Sequence, residues 1–255
     1  MSRAPSLDVE LIAELTAELE AVATAERAIK EKAYLKSDIE HLGVTMPAMR
    51  KVAKVFAKAH PMDPNARMAF CHGLWDEGLF ELRTVAVELL TFRARELEPS
   101  DLPRVEALLR QSRTWALVDP LSIAVVGTMV ERHPVMGDEL DRWAEDEDFW
   151  IRRSAMLALL RPLRKGGGDW DRFLRYADAM LDEKEFFIRK AIGWVLREAG
   201  KHRADEIDAW LAPRTHRASG VTMREAVKKL PKRRADALMA AYRAGEPLVG
   251  GEAVR

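Results

Sequence analysis

The chain has very little cysteine: Cys71 is the only one in 255 residues. A single thiol excludes a disulfide scaffold and a multi-cysteine zinc site, and it fits a reducing compartment. Long apolar runs are also lacking, because the longest, residues 123–130, is far too short to cross a bilayer. The N-terminus, Met1-Ser-Arg-Ala-Pro-Ser, has no apolar stretch. We therefore expect no signal peptide, a cytoplasmic location and no membrane partner.

Net charge is absent as well, since 41 Lys and Arg residues balance 41 Asp and Glu residues. This balance excludes the globally basic chains typical of histone-like proteins, but it leaves local patches open. Residues 149–234 hold 21 basic and 11 acidic side chains, so the remainder of the chain is acidic by the same margin. A basic C-terminal half with aromatic residues at intervals predicts a surface for a polyanion.

Familiar catalytic motifs are missing. There is no P-loop or dinucleotide fingerprint, and the glycines of residues 166–168 lack the flanking pattern. Six histidines show no metal-binding spacing: His41, His60, His72, His133, His202 and His216. The sequence therefore predicts no metal and no cofactor.

Helical periodicity runs through almost the whole chain. In residues 8–25, for example, Leu11, Leu15, Leu19 and Val22 lie on one helical face. Alternating strand-like runs are missing, and Pro and Gly fall between the periodic segments. The sequence predicts an all-α protein.

A repeated motif organises these helices. Similar segments begin at positions 47, 80, 115, 149, 186 and 221, and the intervals between them are 33 to 37 residues. This period accommodates two helices per unit, which is typical of an α-solenoid with a concave binding surface; a compact bundle is the alternative. We predict one domain over residues 1–244 and a disordered tail over residues 245–255.

Five motifs share an arginine at the fourth position: Arg50, Arg83, Arg152, Arg189 and Arg224. Such a ladder favours structural bridging to neighbouring helices or carbonyl groups over a functional role. The third motif breaks the pattern, with Trp115 first, Asp119 fifth and Pro120 sixth.

The exceptional residues fall on one helical stripe. Trp115, Asp119, Arg153 and Trp194 occupy equivalent stripe positions of successive motifs, because four residues overshoot a helical turn by only about 40°. If the stripe faces inward, the four line one surface about 20 Å wide, which suits a macromolecule. Each also has a structural interpretation: core tryptophans, Asp119 as a helix cap before Pro120, and Arg153 as one more bridging arginine.

Several segments resemble the AlkD-type DNA alkylation repair family. They are residues 42–47 (LGVTMP), 74–76 (LWD), 114–119 (TWALVD), 149–153 (FWIRR) and 185–198 (EFFIRKAIGWVLRE). They occur in the family's order from about residue 34 to residue 230. The resemblance implies a right-handed solenoid of about six HEAT-like repeats with a concave DNA-binding face. It also implies a monomeric glycosylase that excises cationic N3- and N7-alkylated purines from duplex DNA, with the lesion left stacked and without metal or cofactor. Such a protein is nucleoid-associated when bound to DNA.

The family's functional residues map onto this sequence. Its Trp-x-x-x-Asp pair matches Trp115 and Asp119, and its second tryptophan matches Trp194; these three are the candidate catalytic residues. The resemblance makes Arg153 a contact to DNA. Further candidate DNA contacts are Tyr34, Thr45, Lys190 and Arg197.

The sequence departs from the family pattern at three positions. Thr114 stands where the family often has a second tryptophan, Ala116 replaces an acidic residue, and Thr45 replaces a longer polar side chain. We expect these changes to alter lesion preference and DNA binding more than the chemistry. The alternative functions are a non-catalytic scaffold for DNA or a protein partner, and a hydrolase acting on a small metabolite.

Overall fold

A computed structural model describes residues 5–248, with side chains from Asp8 onward. The chain divides into two compact units, Met1–Pro134 and Val135–Arg255, called unit 1 and unit 2 below. Helices account for the regular structure of the described residues, and their one extended pairing is an isolated bridge between Glu40 and Leu79. The all-α prediction is confirmed. None of the described helices is long and apolar enough to cross a membrane.

Unit 1 contains eight α-helices among its described residues. They are α1 (Pro5–Glu20), α2 (Ala25–Leu35), α3 (Met46–Ala59), α4 (Pro64–Asp76), α5 (Phe80–Phe92), α6 (Leu102–Gln111), α7 (Trp115–Pro120) and α8 (Gly127–Arg132). Helices α3, α5 and α7 carry the repeated motif and pack in succession, and α4 packs against α5. The core includes Phe70, Trp75 and Leu82, each at most 1% exposed.

Unit 2 also contains eight α-helices among its described residues. They are α9 (Gly137–Ala144), α10 (Phe149–Ala158), α11 (Leu160–Leu163), α12 (Trp170–Ala179), α13 (Phe186–Ala199), α14 (Ala204–Leu211), α15 (Gly220–Ala226) and α16 (Lys232–Ala244). The motif helices α10, α13 and α15 again pack in succession. Trp143, Phe173 and Ile188 are fully buried in the core.

The motif marks helix starts in both units. The six predicted positions coincide within one residue with the first residues of α3, α5, α7, α10, α13 and α15. Five of these helices begin after a side chain that accepts a backbone N–H of the first turn: Thr45, Thr114, Asp148, Glu185 and Ser219. A cap of this kind satisfies a donor that the helix itself leaves unpaired.

Three arginines of the ladder bridge to backbone carbonyls. Arg83 donates to the carbonyls of Trp75 and Gln111, and Arg189 donates to that of Glu183. Arg152 donates to two carbonyls before α10 and makes a double contact with the Glu183 carboxylate. A planar guanidinium suits such multiple bridging.

The predicted tail begins with residues that contact unit 2. The backbone N–H of Leu248 donates to the Ala212 carbonyl at 2.8 Å, and Thr215 Oγ1 donates to the Glu246 carbonyl at 2.6 Å. Residues 249–255 lie outside the described residues. The single domain over residues 1–244 and the disordered tail stay predictions.

Candidate active site

Asp119 lies in the fifth position of α7 and is 8% exposed. The cap of this helix is Thr114, whose hydroxyl oxygen accepts the Ala116 N–H at 3.4 Å. The interpretation of Asp119 as a helix cap is therefore wrong, because the helix begins four residues before it. The same geometry accounts for Thr114, which is buried and serves the cap where the family often has a tryptophan.

The backbone around Asp119 is distorted by Pro120. Proline has no N–H, so the Ala116 carbonyl loses its usual partner within the helix. The chain stays helical, because a wide π-helical turn over Leu121–Val126 joins α7 to α8. Within this stretch, Ser122 Oγ donates to the Val118 carbonyl at 2.6 Å. Single π turns inside α-helices are frequent at functional sites, and this one begins two residues after Asp119.

Trp115 contacts Tyr34 edge to face. Their ring centroids lie 6.1 Å apart with an interplanar angle of 83°. Tyr34 belongs to the last turn of α2 and is 73% exposed, whereas Trp115 is half-buried. Unit 1 thus places an aromatic pair, one ring from α2 and one from α7, at the helix that carries Asp119.

Unit 2 brings Arg153 and Trp194 together. The Arg153 guanidinium carbon lies 6.0 Å from the Trp194 ring centroid and 5.9 Å from the Phe187 ring centroid. Arg153 Nη1 also donates to the Phe187 carbonyl at 2.5 Å, and the residue is only 2% exposed. A cation held over aromatic faces is attracted by their quadrupoles, so Arg153 fixes the start of α13 relative to α10.

Lys190 and Arg197 converge on Glu225, which is buried in α15. Lys190 Nζ lies 2.7 Å from Glu225 Oε1, and Arg197 Nη1 donates to Oε2 of the same carboxylate. Burial alone would raise the pKa of Glu225, but hydrogen bonds from Lys190 and Lys228 and the charge of Arg197 outweigh it and lower that pKa to about 2. Glu225 is therefore ionised at neutral pH.

Gly193 permits this convergence. A Cβ at its position would lie 2.7 Å from Glu225 Cβ and 2.8 Å from the Thr222 carbonyl oxygen. Real Cβ atoms do not approach other atoms so closely, so only glycine allows α13 and α15 to pack at this distance.

Thr45, the remaining predicted DNA contact, is exposed at the start of α3. Its hydroxyl oxygen accepts the Ala48 N–H at 3.4 Å. The side chain thus serves as a helix cap, and its contact with DNA stays a prediction.

One group of side chains in unit 1 could hold a cation. Glu31, His41 and Glu81 offer ligand atoms within 4.8 Å of one another. The Glu81 carboxylate already accepts three backbone N–H groups from residues 42–44, which fixes the loop before α3. Neither ring nitrogen of His41 has a hydrogen-bond partner, and burial lowers the pKa of this histidine. The prediction that the protein uses no metal stays a prediction.

The structure brings together some of the predicted site residues. Within unit 1, Trp115 and Asp119 lie on one short helix and Tyr34 contacts Trp115; within unit 2, Arg153 contacts Trp194. A surface shared by all four residues of the stripe stays a prediction. Sequence reasoning missed Glu225, although one signal for it exists. Glu225 is fifth in its motif, and Lys190, of opposite charge, is fifth in the preceding motif.

The structure is that of an all-α protein whose helices share a repeated motif. One motif helix, α7, carries an acid and an aromatic residue, Asp119 and Trp115, which form a candidate active site. The chain matches a protein family described as "DNA alkylation repair enzyme" over residues 15–230, and it therefore belongs to this family. No curated protein sequence matches the chain significantly.

Three solved structures share the fold. A predicted DNA alkylation repair enzyme from Enterococcus faecalis has a TM-score of 0.74 at 24% identity, over 82% of this chain and 97% of that chain. AlkD2 from Streptococcus mutans has a TM-score of 0.63 at 13% identity, over 88% and 99%. The smu.31 protein of Streptococcus mutans UA159 has a TM-score of 0.59 at 15% identity, over 87% and 100%. The predicted helical-repeat class is thereby confirmed.

Proposed function

We propose that the protein is a DNA glycosylase that hydrolyses the N-glycosidic bond of cationic N3- and N7-alkylated purines in duplex DNA. The substrates would include 3-methyladenine and 7-methylguanine. Membership of the DNA alkylation repair family supports the substrate class. The observation that carries the proposal is Asp119, a nearly buried carboxylate in a motif helix that also presents Trp115.

The chemistry requires little besides a placed carboxylate. An alkylated purine already carries positive charge, so it leaves as a neutral base without prior protonation. As the bond to C1′ breaks, its electron pair goes to the purine and positive charge develops on the deoxyribose. Asp119 would stabilise that charge and orient the water whose oxygen bonds to C1′, and the proton that this water loses passes to solvent.

The aromatic residues have a complementary role in this proposal. The face of Trp115 would hold the sugar and favour cationic character through its ring quadrupole. Trp194, in unit 2, stays a predicted catalytic residue of the same chemical type. Tyr34, at 73% exposure, is accessible to DNA and contacts Trp115 directly. Because a cationic purine leaves without protonation, no group of the protein has to reach the base, and we propose that the lesion remains stacked, unlike in glycosylases that extrude their target base.

Arg153 is proposed to contact a flanking phosphate, as a guanidinium commonly does. Its 2% exposure and its bond to the Phe187 carbonyl support an additional role. It would hold Trp194 in place, because it lies against the ring of that residue.

The second candidate function is a non-catalytic scaffold that binds DNA or a protein. Base release distinguishes the two. We expect the purified protein to release 7-methylguanine from methylated duplex DNA, but not the uncharged base O6-methylguanine from a matched duplex. Release of neither base, together with tight duplex binding, would favour the scaffold.

A further inference from the structure

Two buried carboxylates in unit 2 gather an excess of cations. Glu225, with a side chain 8% exposed, pairs with Lys190 and Lys228 at 2.7 Å each and with Arg197. A single cation would neutralise this carboxylate, yet three surround it.

Glu198 repeats the arrangement one helical residue beyond Arg197. It pairs with Arg197 at 3.2 Å, Lys229 at 3.2 Å and Arg164 at 3.1 Å, and its side chain is 15% exposed. Arg197 thus bridges the two carboxylates. The five cations form what we call the cation patch: Arg164, Lys190, Arg197, Lys228 and Lys229.

The cation patch has a net charge of +3 once Glu198 and Glu225 are counted. Its side chains are between 24% and 51% exposed, whereas the two carboxylates lie beneath them. A lysine ammonium has three donors and an arginine five. Contacts with a buried acid therefore leave donor capacity for an anion that approaches from solvent.

An ion pair that joins two helices does not require three cations around one carboxylate. Elsewhere in unit 2, Asp178 pairs with Arg214 at 2.6 Å and Arg217 at 3.6 Å, so two cations meet at an acid that is 41% exposed, whereas Glu225 gathers three at 8% exposure. Around Glu225 the cations come from both α13 and the turn after α15, over residues 227–229. Long, flexible lysine side chains lose considerable rotamer entropy when they are fixed, and a shared buried acid fixes them before a ligand arrives.

We propose that Glu225 is a positioning residue that holds Lys190, Lys228 and Arg197 for contact with DNA backbone phosphates. This inference rests on the proposed function in one respect, that duplex DNA is the ligand. It adds Lys228 to the interface and gives an acidic residue a favourable role in binding a polyanion.

The test separates positioning from simple charge. Glu225→Gln removes a negative charge, so electrostatics alone predicts tighter binding to DNA. Positioning predicts weaker binding, because the three cations lose their common anchor. The measurement is fluorescence anisotropy with an unmodified 25-base-pair duplex over a range of salt concentrations, using the full chain.

We expect Glu225→Gln to bind more weakly than the wild type and Glu225→Asp, which keeps the charge, to recover part of the loss. We expect Lys228→Gln to lower the slope of log K against log salt by about 0.9, the loss of one phosphate contact. Arg142→Gln is the matched control, because Arg142 lies outside residues 149–234, is 50% exposed and pairs with Glu139. If Glu225→Gln does not fold, as judged by circular dichroism, Glu225→Asp takes its place: positioning predicts weaker binding than the wild type, whereas charge alone predicts unchanged binding.

Two outcomes overturn the inference: Glu225→Gln binding as tightly as the wild type or more tightly, or Lys228→Gln giving the same slope as Arg142→Gln. Base release measured on the same preparations keeps the two proposals apart. Release by the wild type with unchanged slopes would refute the role of the patch and leave the glycosylase standing. Altered slopes without any base release would refute the glycosylase and leave the role of the cation patch standing.

Discussion

The ionised Glu225 makes a measurable contribution to stability that depends on pH. Its pKa falls from 4.5 to about 2 on folding, although burial opposes the shift, because Lys190, Lys228 and Arg197 favour the charged form. A group with a depressed pKa stabilises the folded state above its unfolded pKa, and the contribution is lost as pH falls through the folded pKa. The window here runs from about pH 4.5 down to about pH 2.

The magnitude follows from the size of the shift. At 1.36 kcal/mol per pKa unit, the change from 4.5 to about 2 corresponds to about 3 kcal/mol at pH 7. At pH 3 only about 1.5 kcal/mol of this contribution remains, because the carboxylate of the unfolded chain is already protonated there whereas the native one is still mostly ionised. The burial of Glu225, at 8% side-chain exposure, keeps solvent screening of this interaction small.

Urea unfolding of the wild type and Glu225→Gln at pH 7 and pH 3 tests this prediction. We expect the wild type to be more stable at pH 7 and the gap to shrink by about half at pH 3. Glu26→Gln breaks an exposed pair with Lys30 and should change stability by less than about 1 kcal/mol at both pH values. A gap for Glu225→Gln that is the same at both pH values would refute the reasoning.

Two further variants test other contacts. Gly193→Ala should destabilise the protein by about 1–3 kcal/mol, because its Cβ would meet the Thr222 carbonyl and Glu225; urea unfolding measures this, and an unchanged midpoint would contradict the close approach of α13 and α15. His41→Phe should raise the melting temperature, since it removes two buried nitrogens without partners and keeps a ring stacked on Phe80. Because burial lowers the pKa of His41, the wild type should lose stability as pH falls below about 6.5. The increase in melting temperature of His41→Phe over the wild type should therefore be larger at pH 5.5 than at pH 8. An equal increase at both pH values would show that protonation of His41 does not destabilise the wild type.

Helix starts were predictable because local chemistry sets them. A polar cap precedes an apolar motif at five of the six motif helices, and this pattern is visible in the sequence. α5 lacks a side-chain cap, and its start is held instead by a bond from the Phe80 N–H to the distant Glu40 carbonyl at 2.9 Å. For α5, the repeated motif alone predicted the start of the helix.

Other features depend on packing between distant segments. The convergence of Lys190 and Arg197 on Glu225 requires α13 and α15 to approach at Gly193, which no local pattern specifies. The role of Asp119 was ambiguous because an acid before a proline is typical of a helix start. The π turn after Pro120 allows the helix to continue, and its geometry depends on the whole segment Leu121–Val126 rather than on one residue.

Base release by Asp119→Asn tests the central claim most directly. Single-turnover reactions with duplex DNA that contains one 7-methylguanine would compare it with the wild type, and anisotropy with the same duplex would confirm that both bind. The account predicts that release nearly disappears in the variant, while folding and DNA binding remain close to those of the wild type. Release at the wild-type rate by Asp119→Asn would contradict it.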